Sequence, residues 1–171
     1  MLLKNKTLNK IIKMVVDTNN PKEELNYLYY DSNNKKLVCG DTRQMLLIDT
    51  EMEYNEDKFV AIKESKNKLL YVDDKTLKYP SYDRIVSFDR KFDVEYDNYI
   101  ELLQDKSLNT LDRLYSLAIT NKRLMSLITE LESNKDIKNL TYCISNQIYV
   151  IKFSINDIRC ICVTMPCIHK L

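Results

Sequence analysis

From Leu8 the apolar residues Leu8, Ile11, Ile12 and Val15 recur at i, i+3, i+4 and i+7. That is one face of an amphipathic helix, and the spacing predicts a helix over Leu8 to Asp17. Asn5 or Thr7 suits its N-cap, and Asn19-Asn20-Pro21 ends it. The same spacing returns at Leu124, Leu127, Ile128 and Leu131, and Ser133-Asn134-Lys135 closes this second helix. Asn121-Lys122-Arg123-Leu124 echoes Asn5-Lys6-Thr7-Leu8.

The segments after each helix match as well. "LNYLYYDSNNKKLVCGD" from Leu25 and "LTYCISNQIYVIKFS" from Leu140 both read as strand, polar turn, strand. "TRQMLLID" from Thr42 lines up with "IRCICVTM" from Ile158, Arg43 falling on Arg159. Met1-Leu2-Leu3 and Leu117-Ala118-Ile119 are short apolar runs ahead of each helix. The order strand, helix, hairpin, strand therefore occurs twice. One helix cannot cover a sheet, so two such units belong side by side, with both helices on one face of a mainly antiparallel sheet.

The chain is thus expected to be a single α+β domain over residues 1–171, with unit one at about 1–88, a connecting segment at about 89–113 and unit two at about 114–171. Unit one carries an extra hairpin, "KFVAIKES" and "KLLYVDD", closed by "YPSYDRIV" at Tyr79 to Val86. In the connecting segment Tyr99, Ile100 and Leu103 predict a short helix, which Leu111, Leu114 and Tyr115 would continue.

Composition narrows the function. Of 171 residues 44% are hydrophobic and 30% charged, enough for a packed core. Net charge is +1, so contact with nucleic acid requires a local basic patch or encirclement. No apolar run is long enough to span a membrane, and lysines interrupt the N-terminal apolar stretch, so a cytoplasmic protein is expected. The single glycine, Gly40, excludes P-loops, dinucleotide fingerprints and nucleophile elbows, which each need several. The single histidine, His169, removes the common zinc-hydrolase signatures. The five cysteines read as reduced, buried thiols, since a C-x-C pair with one histidine is a poor tetrahedral set. No cofactor and no metal are expected.

Three segments, in this order, resemble those of the bacterial DNA polymerase sliding clamp, the processivity β subunit. "VCGDTRQM" is similar to the family's "ATDGHRL", "YPSYDRIV" to "FPDYRRV", and the C-terminal "VTMPCIHKL" to "VVMPMRL". The family's glycine and histidine in the first segment are Thr42 and Arg43 here. The duplicated strand-helix-strands unit is also the family's building block, and two units equal about one clamp domain. The resemblance implies a DNA-clamp-like fold and a non-catalytic processivity or scaffold protein. Such a protein encircles or lies along duplex DNA without reading its sequence, and tethers a DNA polymerase or another clamp-binding peptide. A ring would require a homo-oligomer. The implied partner-peptide pocket draws on Arg43, Met45, Pro80, Arg84, Ile85, Met165, Pro166 and Cys167.

On the first helix Lys6, Lys10 and Lys13 share a sector opposite the apolar face, as a helix apposed to phosphates needs; a solvated helix face has the same pattern. Lys122 and Arg123 would add to it from the second helix, where Ser126 and Glu130 dilute the charge. Tyr27, Tyr29 and Tyr30, like Tyr142 and Tyr149, are expected to pack a half-buried sheet rather than stack bases. Asp41, Asp49, Glu51, Glu53, Asp73 and Asp74 fit solvated turns better than a metal-dependent nuclease site. The alternative function keeps the fold without the ring: a monomeric or dimeric clamp-fold module acting as adaptor or inhibitor of replication machinery.

Overall fold

The computed structural model describes residues 5–16, 18–41, 43–52, 54–65, 68–72, 76–80, 82, 92, 94–108, 122–145 and 148–164, with backbone only at 62–65, 68–71, 122–123 and 145. Met1-Leu2-Leu3, Leu111 to Ile119 and the C-terminal segment from Met165 lie outside the described residues.

The chain is α+β and built on one antiparallel sheet. Helix α1 (Lys6–Val15) is capped by the Asn5 side chain, which accepts from Leu8 N–H. Its buried residues are Leu8, Ile11, Ile12 and Val15, the four that the spacing singles out. After a 3-10 turn (Glu23–Asn26) come β1 (Tyr27–Asp31), β2 (Lys36–Gly40), β3 (Gln44–Asp49), β4 (Lys58–Ser65) and β5 (Lys68–Val72). The connecting segment holds α2 (Tyr99–Gln104), N-capped by Asn98. Here the structure differs from expectation: Leu102 is buried beside Tyr99, while Ile100 is 61% exposed. The second unit follows as α3 (Lys122–Ser133), β6 (Ile137–Ser145), β7 (Ile148–Ile155) and β8 (Ile158–Thr164).

The eight strands run in the order β5-β4-β1-β2-β3-β8-β7-β6. Each unit is a three-strand meander, and the two meanders abut where β3 pairs with β8, Leu46 opposite Cys162 and Leu47 opposite Ile161. The six strands β1-β2-β3-β8-β7-β6 therefore read alike from either end, as an approximate twofold relation between the units requires. The extra hairpin β4–β5 lengthens the sheet beyond β1, with Leu28 opposite Val60.

Alternation assigns the two faces. Leu37, Cys39, Leu46, Ile48, Tyr149, Ile151, Phe153, Cys160 and Cys162 join the buried faces of both helices in one core. Val38, Leu47, Cys143, Val150, Ile161 and Val163 point the other way. Both helices thus lie on one face of the sheet. Burying each of the aliphatic side chains on α1 contributes about 1.5–3 kcal/mol. The meanders reverse differently. Asp31 pairs with Lys36 across a four-residue turn, whereas Ser145 pairs directly with Ile148. The lengths differ by an even number, so the same faces stay inward in both units. Between β7 and β8, Asn156 and Asp157 both have positive φ (48° and 66°), as a two-residue hairpin of the primed type needs.

Gly40 ends β2 without positive φ, so its need is steric. A Cβ there would lie 2.2 Å from the Gln44 carbonyl oxygen and 2.9 Å from Met45 Cα. We expect Gly40→Ala to cost about 1–3 kcal/mol through forced backbone displacement. Urea denaturation measures it, and a midpoint equal to wild type would show that the turn yields freely.

Candidate functional site

The candidate residues fall on two surfaces, one on each side of the sheet. On the helix side α1 and α3 run antiparallel. Thr7 Oγ1 donates to Asp136 Oδ2 at 2.9 Å, and Lys10 Nζ contacts Glu130 Oε2 at 2.5 Å, so rising along α1 means descending along α3. Lys6, Lys10 and Lys13 are all exposed, as the helical spacing predicts. They are not equivalent. Lys10 is engaged by Glu130, whose carboxylate also accepts from Asn134 Nδ2 at 3.0 Å. The hydrogen bond from Lys10, then that from Asn134, holds the Glu130 carboxyl below its ordinary range. Glu130 therefore does more than dilute the charge of α3; it takes up a lysine of α1. Lys122 and Arg123 stand in the first turn of α3, and their side chains lie outside the described set. The exposed Thr129 and Ser133 hydroxyls bond back to the carbonyls of Met125 and Thr129.

On the opposite side the described parts of the three segments, Met45, Tyr79, Tyr82 and Val163, share one cluster. Asp41 organises the β2–β3 reversal, its Oδ1 accepting from Arg43 N–H at 2.6 Å and Gln44 N–H at 2.7 Å. Arg43 is exposed at this turn, and Met45 is half-buried against the outer cluster. Gln44 pairs with Thr164 and Met45 with Val163, so β8 ends beside the turn. Tyr79 and Tyr82 lie over the same cluster as Met45 and Val163. Tyr79 stacks on Tyr29 with centroids 5.0 Å apart and planes 6° apart, and Tyr82 donates to the buried Asp31. Pro80, between them, is exposed. Arg84, Ile85, Met165, Pro166 and Cys167 lie outside the described residues.

The sequence pattern missed the anchor of this strap, Asp31. A carboxylate that ends a strand before a Ser-Asn-Asn turn is a local signal, but its bond to Tyr82 is a tertiary one. Burial raises the Asp31 pKa; bonds from Tyr82 and from the Asn34 side chain and backbone outweigh that and hold the carboxyl below its ordinary value. Tyr29 and Ser32 likewise bond Asp57, and they lower its pKa against the opposing effect of burial.

Cys39, Cys143, Cys160 and Cys162 are buried free thiols, and burial pushes Cys143 and Cys162 up to about 12, far from nucleophilic at neutral pH. A cleft of about 900 Å³ opens between the start of α1, the end of β3 and the β7–β8 turn. Its carboxylates are partly committed, Asp49 to Arg159 at 2.7 Å and Asp136 to Thr7. Among the described residues no cluster of His, Cys, Asp and Glu is placed to hold a metal ion, and no helix is long and apolar enough to cross a membrane.

No protein-family model, curated protein or solved structure matches the chain.

The Asp31 anchor has a definite pH signature. Its folded pKa is depressed, so its contribution is present above the unfolded value near 3.8 and is lost as pH falls through the folded value. Asp31→Asn is expected to cost about 1.5–3 kcal/mol at pH 7, the scale of hydrogen bonds to a charged group. The difference from wild type should shrink at about pH 3. Urea midpoints at both pH values check this, and a pH-independent difference would remove the carboxylate from the account.

Proposed function

We propose that this protein is a non-catalytic, clamp-like scaffold that lies along or encircles duplex DNA with its helix pair and tethers a replication partner on the opposite face. The observation that carries the reading is the paired architecture: two helix-plus-meander units joined through β3 and β8, with both helices on one face. That arrangement presents exposed lysines to one side and leaves the other for a partner peptide. The place for such a peptide is where Arg43, Met45, the Tyr79–Tyr82 strap and the end of β8 meet. Phosphate contacts from Lys6, Lys10 and Lys13 suit sequence-independent, salt-sensitive binding.

One observation favours the second reading, a clamp-fold module that does not encircle DNA. A ring built by strand pairing uses both edges of the sheet, and one edge is occupied. Tyr96 forms an antiparallel bridge with Tyr142 of the edge strand β6, its N–H to the Tyr142 carbonyl at 2.9 Å and the reverse bond at 2.8 Å. The connecting segment also wraps that edge. Glu95 takes Lys152 at 2.6 Å on the outer side, while Tyr99 and Leu102 pack into the helix-side core. Light scattering after size exclusion separates the readings: a higher oligomer retained on circular but not linear DNA supports encirclement, and a strict monomer supports the module.

The charge geometry makes a sharper test. Lys6→Ala with Lys13→Ala should weaken duplex binding for every sequence and lower the salt slope by about 0.9 per lost contact. Glu130→Gln should tighten binding, because it releases Lys10 and removes a negative charge from the helix face. Fluorescence anisotropy over a salt series measures both. Binding that ignores salt and all three substitutions would dismiss the helix pair as a DNA surface.

A further inference from the structure

The end of the sheet that carries Gln44 and Thr164 holds a row of buried polar groups that lack an oxygen or nitrogen partner among the described residues. Gln44, Thr164 and Tyr149 stand on the adjacent strands β3, β8 and β7, Gln44 opposite Thr164 and Thr164 opposite Tyr149. All three are buried, at 2%, 2% and 0% exposure. Alternation turns them toward the helices, since Leu46 and Cys162, two residues along from Gln44 and Thr164, face that core. Gln44 Oε1, Thr164 Oγ1 and Tyr149 Oη are each enclosed with no oxygen or nitrogen partner among the described residues. Thr164 faces the Cys162 thiol, a weak hydrogen-bonding group. The Tyr99 ring packs edge-on against Tyr149 at 6.1 Å, and its hydroxyl is enclosed in the same way.

Native interiors leave very few such groups unsatisfied, and four of them drawn to one end of one core call for a common ligand. The groups are neutral hydroxyls and an amide, able to donate and accept, with no charge among them. They match neither an anion nor a divalent cation. The geometry points to an internal hydration site: ordered water bridges Gln44 and Thr164 across the β3–β8 junction and continues toward the Tyr149 and Tyr99 hydroxyls. This site goes beyond the DNA-scaffold reading and stands whether or not that reading holds. Its place gives it a structural consequence. It ties together the two strands whose pairing joins the repeat units, directly behind Met45 and Val163 on the other face.

The sign of a near-isosteric substitution decides the matter. If the Thr164 hydroxyl is bridged by water, Thr164→Val breaks the bridge and lowers Tm, by about 2–4 °C for a chain of this size. If the hydroxyl is orphaned, Val removes a buried polar liability, adds strand preference and raises Tm. Gln44→Met should act in the same direction. The double variant should lose less than the sum of the two, because both groups share the water. Tyr149→Phe provides a third reading of the same sign. A high-resolution crystal structure should show ordered water within hydrogen-bonding distance of both Gln44 Oε1 and Thr164 Oγ1. A raised or unchanged Tm for Thr164→Val, strict additivity of the pair, or an empty interior at this position would each overturn the proposal.

Discussion

The pairing of β3 with β8 is the constraint on which the rest depends. A single unit has one helix and three strands, and one helix covers only part of such a sheet. Joining the meanders through Leu46–Cys162 and Ile48–Cys160 makes one continuous floor, over which α1 and α3 lie together. The helices are then near enough for Thr7 to reach Asp136 and Lys10 to reach Glu130. These surface contacts are individually weak; they orient a pair whose closeness is set by the core below.

The same junction decides what each face can offer. On the helix side it puts two amphipathic helices in register, so their polar sectors form one surface of mixed charge. On the other side it brings the Asp41–Arg43 turn beside the end of β8, which the chain order separates widely. The strap through Tyr79 and Tyr82 then lies over Val38, Leu47, Ile161 and Val163, with Asp31 as its polar anchor. The segment "YPSYDRIV" is in its described part a fastening of the outer face, in one cluster with Met45.

The edges of the sheet behave unlike the centre. β6 carries a register shift between Lys138 and Thr141, where Asn139 takes φ 53°, and Tyr96 closes its outward side at Tyr142. A bulge and a covering segment are devices that discourage further strand addition.

Much of the fold was legible in the sequence, because helix and strand periodicities are local properties. The four apolar positions of each helix, the hairpins of both units and the packing role of the tyrosines all follow from spacing and residue type. The three exposed lysines of α1 follow in the same way, since opposite sectors of a helix are fixed by its turn. Spacing did not disclose that Glu130 claims Lys10, that Asp31 anchors Tyr82, that Leu102 rather than Ile100 faces the core, or that Tyr96 guards β6. Each of these depends on contacts between residues distant in the chain or on the phase of a short helix that only its neighbours set. The chain by itself determined the two amphipathic helices and the strands of both meanders among the described residues, and that the unit is repeated. Only the tertiary structure decided which charges remain available, which edge is closed and which polar groups are left inside, because these are fixed when β3 meets β8 and the two units share one core.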